Sequence, residues 1–279
     1  MIKAIITDLD GTIALPNNTL SNKTVNIFSK LDQDECKIII ATGRSYIDTY
    51  QLTNKYSEFK SYKVMLSGGL TLDRNNNVIS FNKISSYKLS KIIDIVKPYR
   101  STIGFYDQRY IYSCKEIDNL KFFSEYIHLF TDYENKTDNN LQRSLITINT
   151  IKELRDLVVL KVEIIEKNKD KFSEVFEKLK SIGLECTTSG YDNIEVTNGG
   201  INKGLSLLNL LSALNIDEDE CLVFGDSEND ISMFQHFTNT IAVENAVEEL
   251  KKLAKHICDS CSNDGVANYL EDYINKSAD

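Results

Sequence analysis

The stretch Ile5-Ile6-Thr7-Asp8-Leu9-Asp10-Gly11-Thr12 decides how the rest of the chain is read. It closes a short apolar run that opens at Ile2 and breaks into two carboxylates, Asp8 and Asp10. Gly11 follows, where a chain turns sharply without a Cβ penalty. A short β-branched run bounded by turn residues reads as a buried strand. In an open α/β sheet, ligands sit beyond the carboxyl ends of the strands. Asp8 is therefore expected at the lip of a strand, with Asp10 two residues along the loop. Acids this close repel each other and are hard to keep ionised together without a cation. A lone Asp-x-Asp is usually a turn or a helix cap. The rest of the chain gives this pair a chemical meaning.

At 279 residues the chain is long enough for two domains, and its 42% hydrophobic and 26% charged content is that of a globular protein. A formal net charge of −9 argues against nucleic acid as a partner. It leaves room for an anionic small substrate, because a metal and a few cations make a local positive pocket. Six cysteines are scattered without a framework, and the lone Cys258-x-x-Cys261 is half a zinc site at best. No run approaches the ~20 apolar residues that span a bilayer, and the N-terminus lacks a signal peptide's apolar centre. These features predict a reduced, cytoplasmic protein with no membrane association and no obligate protein partner.

Along the chain, strand and helix signals alternate. Ser21 is a plausible N-cap ahead of Val25, Phe28 and Leu31 at helical spacing. Lys37 to Ala41 reads as a buried strand ending in Thr42-Gly43-Arg44, and Lys63 to Leu66 as another ending in Ser67-Gly68-Gly69. Strand, helix, strand, helix, strand is the signature of a parallel sheet with crossover helices. The middle differs. Helical patterns at 89–96 and 172–182 flank strand-like pieces at 102–112, 144–149 and 158–165, with a polar loop at 134–140. The α/β rhythm then resumes. Ile194 to Thr197 reads as a strand, Lys203 opens a helix, and Cys221 to Phe224 leads into Gly225-Asp226-Ser227-Glu228-Asn229-Asp230. Thr240 to Val243 is a further strand. The expected fold class is α/β, with a Rossmann-like parallel sheet and helices on both faces. Segments 1–84 and 189–279 would form that core, and 85–188 an inserted α+β domain.

If those strands lie parallel and adjacent, Asp8, Asp10, Thr42, Lys203, Asp226, Asn229 and Asp230 converge on one edge of one sheet. The implied chemistry is phosphoryl transfer to a carboxylate, which is a competent nucleophile once the phosphate charge is neutralised and the groups are in line. Mg²⁺ prefers hard oxygen ligands, one or two of them carboxylates. Asp8 and Asp226 fit as ligands, with the Asp10 main-chain carbonyl as a third. Lys203 is a compact charge for a phosphate oxygen and for Asp8, and the Thr42 hydroxyl with nearby backbone N–H groups suits the other oxygens. Asp10 is left free to act as general acid and base. Arg44 reads as a surface cation with a structural task. Tyr106, Tyr110 and Tyr112 read as packing, and His128, His236 and His256 as structural.

These motifs resemble, in order, those of the haloacid dehalogenase superfamily: Asp8-Leu9-Asp10-Gly11-Thr12, the Thr of Ala41-Thr42-Gly43-Arg44, the Lys of Gly200-Ile201-Asn202-Lys203-Gly204, and 225–230. Asn245-Ala246 and Asn263-Asp264-Gly265-Val266 look like those of its Cof-type phosphatases, which carry a large inserted cap of class II, IIB-like. The resemblance implies Asp8 as nucleophile and Asp10 as acid/base. It implies Thr42, Gly43, Lys203 and Asn229 around phosphate, and Asp8, Asp10, Asp226 and Asp230 around Mg²⁺, with Asp230 also supporting Lys203. One departure stands out. Where many relatives have Asn-Gly-Ala after the third strand, this chain has Gly68-Gly69-Leu70 preceded by Ser67. The expected activity is Mg²⁺-dependent hydrolysis of a small phosphorylated metabolite, a sugar phosphate or a nucleotide or cofactor phosphate, through an aspartyl-phosphate. A sugar phosphomutase on the same core and a non-catalytic phosphate-ligand sensor are the alternatives.

Overall fold

The computed structural model describes residues 2–31, 35–56, 60–118, 145–190 and 192–278. The expected loop at 134–140 and His128 lie outside them. Fourteen strands are present among the described residues. The first five are β1 (Ala4–Thr7), β2 (Lys37–Ala41), β3 (Tyr62–Met65), β4 (Leu70–Leu72) and β5 (Val78–Phe81). A middle set follows: β6 (Thr102–Tyr106), β7 (Ile111–Cys114), β8 (Leu145–Ile148), β9 (Lys161–Ile165), β10 (Leu184–Thr187) and β11 (Asn193–Asn198). The last three are β12 (Cys221–Gly225), β13 (Thr240–Val243) and β14 (His256–Cys258).

The first sheet has the order β14-β13-β12-β1-β2-β3-β4-β5. From β14 to β3 every pairing is parallel, and β4 and β5 add an antiparallel edge. The chain leaves β1 toward β2 on one side and later returns to β12 on the other. A ligand crevice belongs at such a switch point. Buried on both faces, β1, β2 and β12 are the near-continuous apolar runs that a parallel sheet requires. Helices cover them. Ser21 caps the helix Asn22–Lys30 by accepting from the Thr24 amide, as its position predicts. Asn202 does the same for Leu205 at the start of the helix Lys203–Leu214.

The second sheet has the order β10-β11-β9-β6-β7-β8. Here the structure departs from the sequence reading. Ile194 to Thr197, expected in the first sheet, belongs to β11 and pairs antiparallel with β9 and β10. The second sheet therefore extends beyond the expected 188 boundary. One face of this sheet holds an apolar core: Val162, Ile164, Ile194 and Val196 pack with Ile92 and Val96 of the helix Ser86–Val96 and Val175 and Leu179 of the helix Lys169–Ser181. Side chains alternate along a strand, so Lys161, Glu163, Asn193 and Glu195 project from the opposite face. That face looks onto the first sheet's carboxyl edge. A smaller apolar cluster joins the two sheets there, with Met65, Leu66, Leu70 and Leu72 meeting Tyr106, Ile111, Leu160 and Ile165. No described helix is long and apolar enough to cross a membrane.

Lys63 on β3 is an isolated cost in this core. It is 6% exposed, its ammonium donates to the Ser61 carbonyl, and burial pushes it down to about 8 against the opposing pull of Asp73. Between about pH 8 and its ordinary value of 10.5 the unfolded chain holds a proton that the folded chain has lost. Stability from this group therefore rises with pH across that window. Lys63→Met is expected to stabilise the protein by up to about 3 kcal/mol at pH 7, with the advantage shrinking toward pH 10. Urea unfolding of both proteins at pH 7 and pH 10 checks this; a pH-independent difference would contradict it.

Candidate active site

Three adjacent strands of the first sheet end in polar residues: β1 in Asp8, β2 in Thr42 and β12 in Asp226. Lys203 enters between them from the first turn of its helix, its side chain completely buried. Its ammonium donates to Asp8 Oδ1 at 2.8 Å, Asp230 Oδ1 at 2.7 Å and Asn229 Oδ1 at 3.0 Å. The other Asp230 oxygen accepts from the Asp226 and Ser227 amides at 2.9 and 3.1 Å. Asp230 thus fastens Lys203 to the β12 loop. Asp226 is positioned in turn by Thr12, whose hydroxyl donates to Oδ1 at 2.8 Å. Gly11 is required beside it: φ is +73°, and a Cβ there would sit 2.3 Å from Asp226 Oδ2.

The charge balance of this cluster is lopsided. One ammonium faces three carboxylates, of which Asp8 and Asp230 are buried and Asp226 is partly exposed. Burial pushes the Asp8 carboxyl well up, Lys203 opposes, and Asp230, Asp226 and Asp10 add to the rise. Burial together with Asp230 lifts Asp226 to about 7 against the Thr12 hydrogen bond and Lys203. Lys203 stays protonated, since Asp230 and Asp8 outweigh its own desolvation. Oxygens of Asp8, Asp226 and Asp230 lie within 4.8 Å of one another. Hard oxygens with excess negative charge suit a divalent cation such as Mg²⁺.

The Asp10 carboxylate is not part of that cluster, and the metal role expected for Asp10 falls to its main-chain carbonyl. The carboxylate turns to Arg44, which binds it through Nε at 2.8 Å and a terminal nitrogen at 2.5 Å. A two-pronged guanidinium contact of this kind fixes both distance and plane. Its place in the cleft works the other way, but the Arg44 hydrogen bonds and charge, with Lys203 behind, hold Asp10 below the usual carboxylate range. Arg44 also reaches Asn18 Oδ1 at 2.6 Å. It is part of the site rather than the surface cation expected from sequence. Asn245, one of the Cof-like marks, donates to the Gly11 carbonyl and accepts from the Cys261 amide, both at 2.8 Å. It ties the Asp8–Thr12 loop to the last segment of the chain.

Thr42 is buried, and its Oγ1 accepts from the Arg44 amide at 3.2 Å. The departure at Ser67-Gly68-Gly69 also has a structural explanation. Leu66, Ser67 and Gly68 are consecutively left-handed, with φ of 52°, 55° and 101°. A Cβ on Gly68 would lie 2.4 Å from the Asn202 carbonyl oxygen, so an Asn side chain has no room there. The adjacent Ser67 hydroxyl instead donates to Glu195 of β11.

A cavity of about 720 Å³ opens above these groups. Asp8, Asp10, Thr42, Gly43, Asp226 and Asn229 line its floor. Tyr106, Lys161, Glu163, Asn193 and Glu195 of the second sheet line its roof. Sequence reasoning missed Lys161, Glu163 and Glu195. The available signal was the charged–apolar alternation of Lys161-Val162-Glu163-Ile164 and Asn193-Ile194-Glu195-Val196, which marks strands with one polar face. Tyr112 and Tyr110 do not reach the cavity lining; the Tyr112 hydroxyl donates to Asp107 at 2.7 Å.

Removing the cation from this cluster leaves buried carboxylates uncompensated. Lys203→Met is expected to cost about 3–5 kcal/mol of stability. Equilibrium denaturation in the presence of a chelator measures it, and a loss under 1 kcal/mol (roughly the scale of an exposed ion pair) would show that Lys203 is not holding the acids together.

Comparison with known proteins identifies the family. The family described as haloacid dehalogenase-like hydrolase matches residues 5–270. A putative phosphatase of Mycoplasma genitalium is 23% identical over 280 residues, covering 98% of this chain and 99% of the relative. A Bacillus subtilis protein named 5-amino-6-(5-phospho-D-ribitylamino)uracil phosphatase is 24% identical, covering 98% and 96%. Among solved structures, a haloacid dehalogenase-like hydrolase from B. subtilis superposes with a TM-score of 0.84 at 20% identity, covering 97% of this chain and 99% of the other. A subclass IIB sugar phosphatase of the superfamily superposes at 0.79 and 19% identity, covering 97% and 98%. With the family matched over nearly its whole length and the fold shared end to end, the chain belongs to the haloacid dehalogenase-like hydrolases, among the Cof-type phosphatases of that superfamily.

Proposed function

We propose that the protein is a Mg²⁺-dependent phosphatase that hydrolyses a small phosphomonoester through an aspartyl-phosphate on Asp8. The observation that carries this reading is the Lys203 ammonium held between Asp8 and Asp230, with Asp226 beside it and Asp10 set apart on Arg44. Asp8 and Asp226, with the Asp10 main-chain carbonyl as a further ligand, would hold Mg²⁺, which would supply charge neutralisation for the phosphate. Asp8 attacks phosphorus, and the bond from phosphorus to the ester oxygen breaks. Asp10, held ionised by Arg44 in the free site, takes up the proton carried in by the monoanionic ester and passes it to the departing alkoxide. Lys203 and the Thr42 hydroxyl hold phosphate oxygens while charge shifts onto them. In the second half, Asp10 takes a proton from water as that water attacks the aspartyl-phosphate. Phosphate is released and Asp8 is regenerated.

The roof of the cavity supports a hydroxylated leaving group. Glu163, Asn193, Ser189 and Asp192 offer hydrogen-bonding groups. The ring of Tyr106, which would otherwise serve as a stacking platform, lies under the Lys161 ammonium at 4.7 Å. Three B. subtilis relatives are named for a ribitylamino-uracil phosphate, whose phosphate sits on a polyol chain. A phosphorylated sugar or polyol is therefore the substrate class favoured here, within the wider group of sugar and cofactor phosphates.

Phosphate release by the purified protein with Mg²⁺ across sugar, polyol, nucleotide and flavin phosphates is the test. Sugar or polyol phosphates are expected to give the highest kcat/KM. An isomerised sugar phosphate without free phosphate would point to a mutase, and binding without turnover to a sensor. Asp8→Asn is expected to abolish turnover while leaving the circular dichroism spectrum unchanged; retained turnover would mean another nucleophile. Excess chelator is expected to stop the reaction and added Mg²⁺ to restore it, whereas an undiminished rate in chelator would contradict the metal assignment.

A further inference from the structure

Above the phosphate-binding loop lies a buried charged cluster that the reaction just described does not use. Lys161 of β9 and Glu195 of β11 are 2% and 4% exposed, and the ammonium lies 3.2 Å from Glu195 Oε1 and 3.5 Å from Glu163 Oε2. Burial works against both charges. Glu195 and Glu163 nonetheless keep Lys161 protonated, and Lys161 with Ser67 keeps Glu195 ionised. Within the second sheet's unit Lys161 also lies over the Tyr106 ring and Glu195 accepts from the Ser189 hydroxyl at 3.4 Å, and both residues reach across to the first sheet. The Lys161 ammonium donates to the Gly43 carbonyl at 2.9 Å. Glu195 Oε2 accepts from the Ser67 hydroxyl, and the Ser67 amide donates to the Thr42 carbonyl at 3.1 Å. Gly43 is squeezed against the pair, since a Cβ there would lie 2.6 Å from Glu195 Oε1.

The Gly43–Arg44 peptide joins this cluster to the chemistry. A trans peptide is planar, so its C=O and N–H point in opposite directions. Lys161 takes the carbonyl. The N–H of the same peptide donates to Thr42 Oγ1 at 3.2 Å. Thr42, acting as acceptor there, aims its own proton elsewhere, and Thr42 lines the cavity. Arg44, at the far end of this peptide, holds Asp10. We infer that Lys161 and Glu195 are positioning residues: docking of the second sheet fixes the Gly43–Arg44 peptide plane, and with it the Thr42 hydroxyl that receives phosphate. This rests on the phosphatase reading of the site. The cap then does more than select the leaving group. It completes the phosphate-binding loop, which is set only when the roof is in place.

The inference separates from a direct substrate contact by what is lost. In Lys161→Met/Glu195→Gln, both charges of the pair go together. Affinity for inorganic phosphate, read as product inhibition and by calorimetry in Mg²⁺, is expected to fall about tenfold or more, as befits losing a hydrogen bond from a charged donor. kcat/KM is expected to fall by a similar factor for p-nitrophenyl phosphate and for ribose 5-phosphate, because the shared phosphate end is what suffers. A loss confined to ribose 5-phosphate, with phosphate affinity intact, would make Lys161 a leaving-group contact and overturn the inference. No loss on any probe would overturn it too. Should circular dichroism show the double variant unfolded, Ser67→Ala removes one hydrogen bond to Glu195 and is expected to weaken phosphate binding about threefold; unchanged binding there would overturn the inference. Wild-type protein that binds phosphate but releases none from either ester would count against the phosphatase reading alone, and the binding comparison would still decide the role of Lys161.

Discussion

The structure depends on one buried ammonium among three carboxylates. Desolvating Lys203, Asp8 and Asp230 costs several kcal/mol per charge, and only close mutual contact offsets it. That requirement fixes positions far apart in the chain: Lys203 is 195 residues from Asp8 and 27 from Asp230. A strand end, a helix N-terminus and a turn must therefore meet within hydrogen-bond distance. Gly11 and Gly225 serve the same end, since a Cβ at either would strike Asp226 or Asp230. The excess negative charge that remains suits the cluster to a divalent cation.

The opposite half of the site is built on a different principle. β9 and β11 are two-faced strands. Their apolar residues bind the second sheet to its helices, and their polar residues hang over the crevice. The first sheet supplies the buried carboxylates and ammonium of the floor, and the second a roof of charged and hydrogen-bonding groups. The apolar contact of Met65, Leu66, Leu70 and Leu72 with Tyr106, Ile111, Leu160 and Ile165 holds the two surfaces at working distance.

Much of the core was legible in the sequence for a physical reason. A parallel strand buried on both faces is a short apolar run, and the residue that ends it is at the sheet's carboxyl edge by construction. Asp8, Thr42 and Asp226 are placed by that rule alone, and Lys203 follows from its helix start. Strand β11 was misassigned because Ile194-Glu195-Val196-Thr197 looks the same whether its partners are parallel or antiparallel. Pairing partners are a long-range property that a local pattern does not carry. Strands β4 and β5 went unread because β4 is three residues long and all four residues of β5 are exposed, so neither has a face to betray it. The role of Arg44 was hidden for another reason: a charge beside a turn is ordinarily solvated, and only the fold brings Asp10 to it.

The consecutive left-handed residues Leu66, Ser67 and Gly68 show how the two halves are reconciled. A non-glycine residue at positive φ is uncommon, and such strain persists only where its surroundings enforce it. Here the surroundings are the whole site. Leu66 and Ser67 donate their amides to the Arg44 and Thr42 carbonyls, Gly68 accepts from Ser206 one turn along from Lys203, and the Ser67 side chain reaches Glu195. Three groups of site residues, the β2 loop, the Lys203 helix and the second sheet, meet on this one turn. Relaxing its backbone would release all three, so local strain here is set against contacts to every part of the site except the β1 and β12 loops. A side chain at Gly68 is excluded for the same reason, because the turn lies against the Asn202 carbonyl that begins the Lys203 helix. The position at which this chain departs from many relatives is thus where its catalytic sheet and its roof are joined.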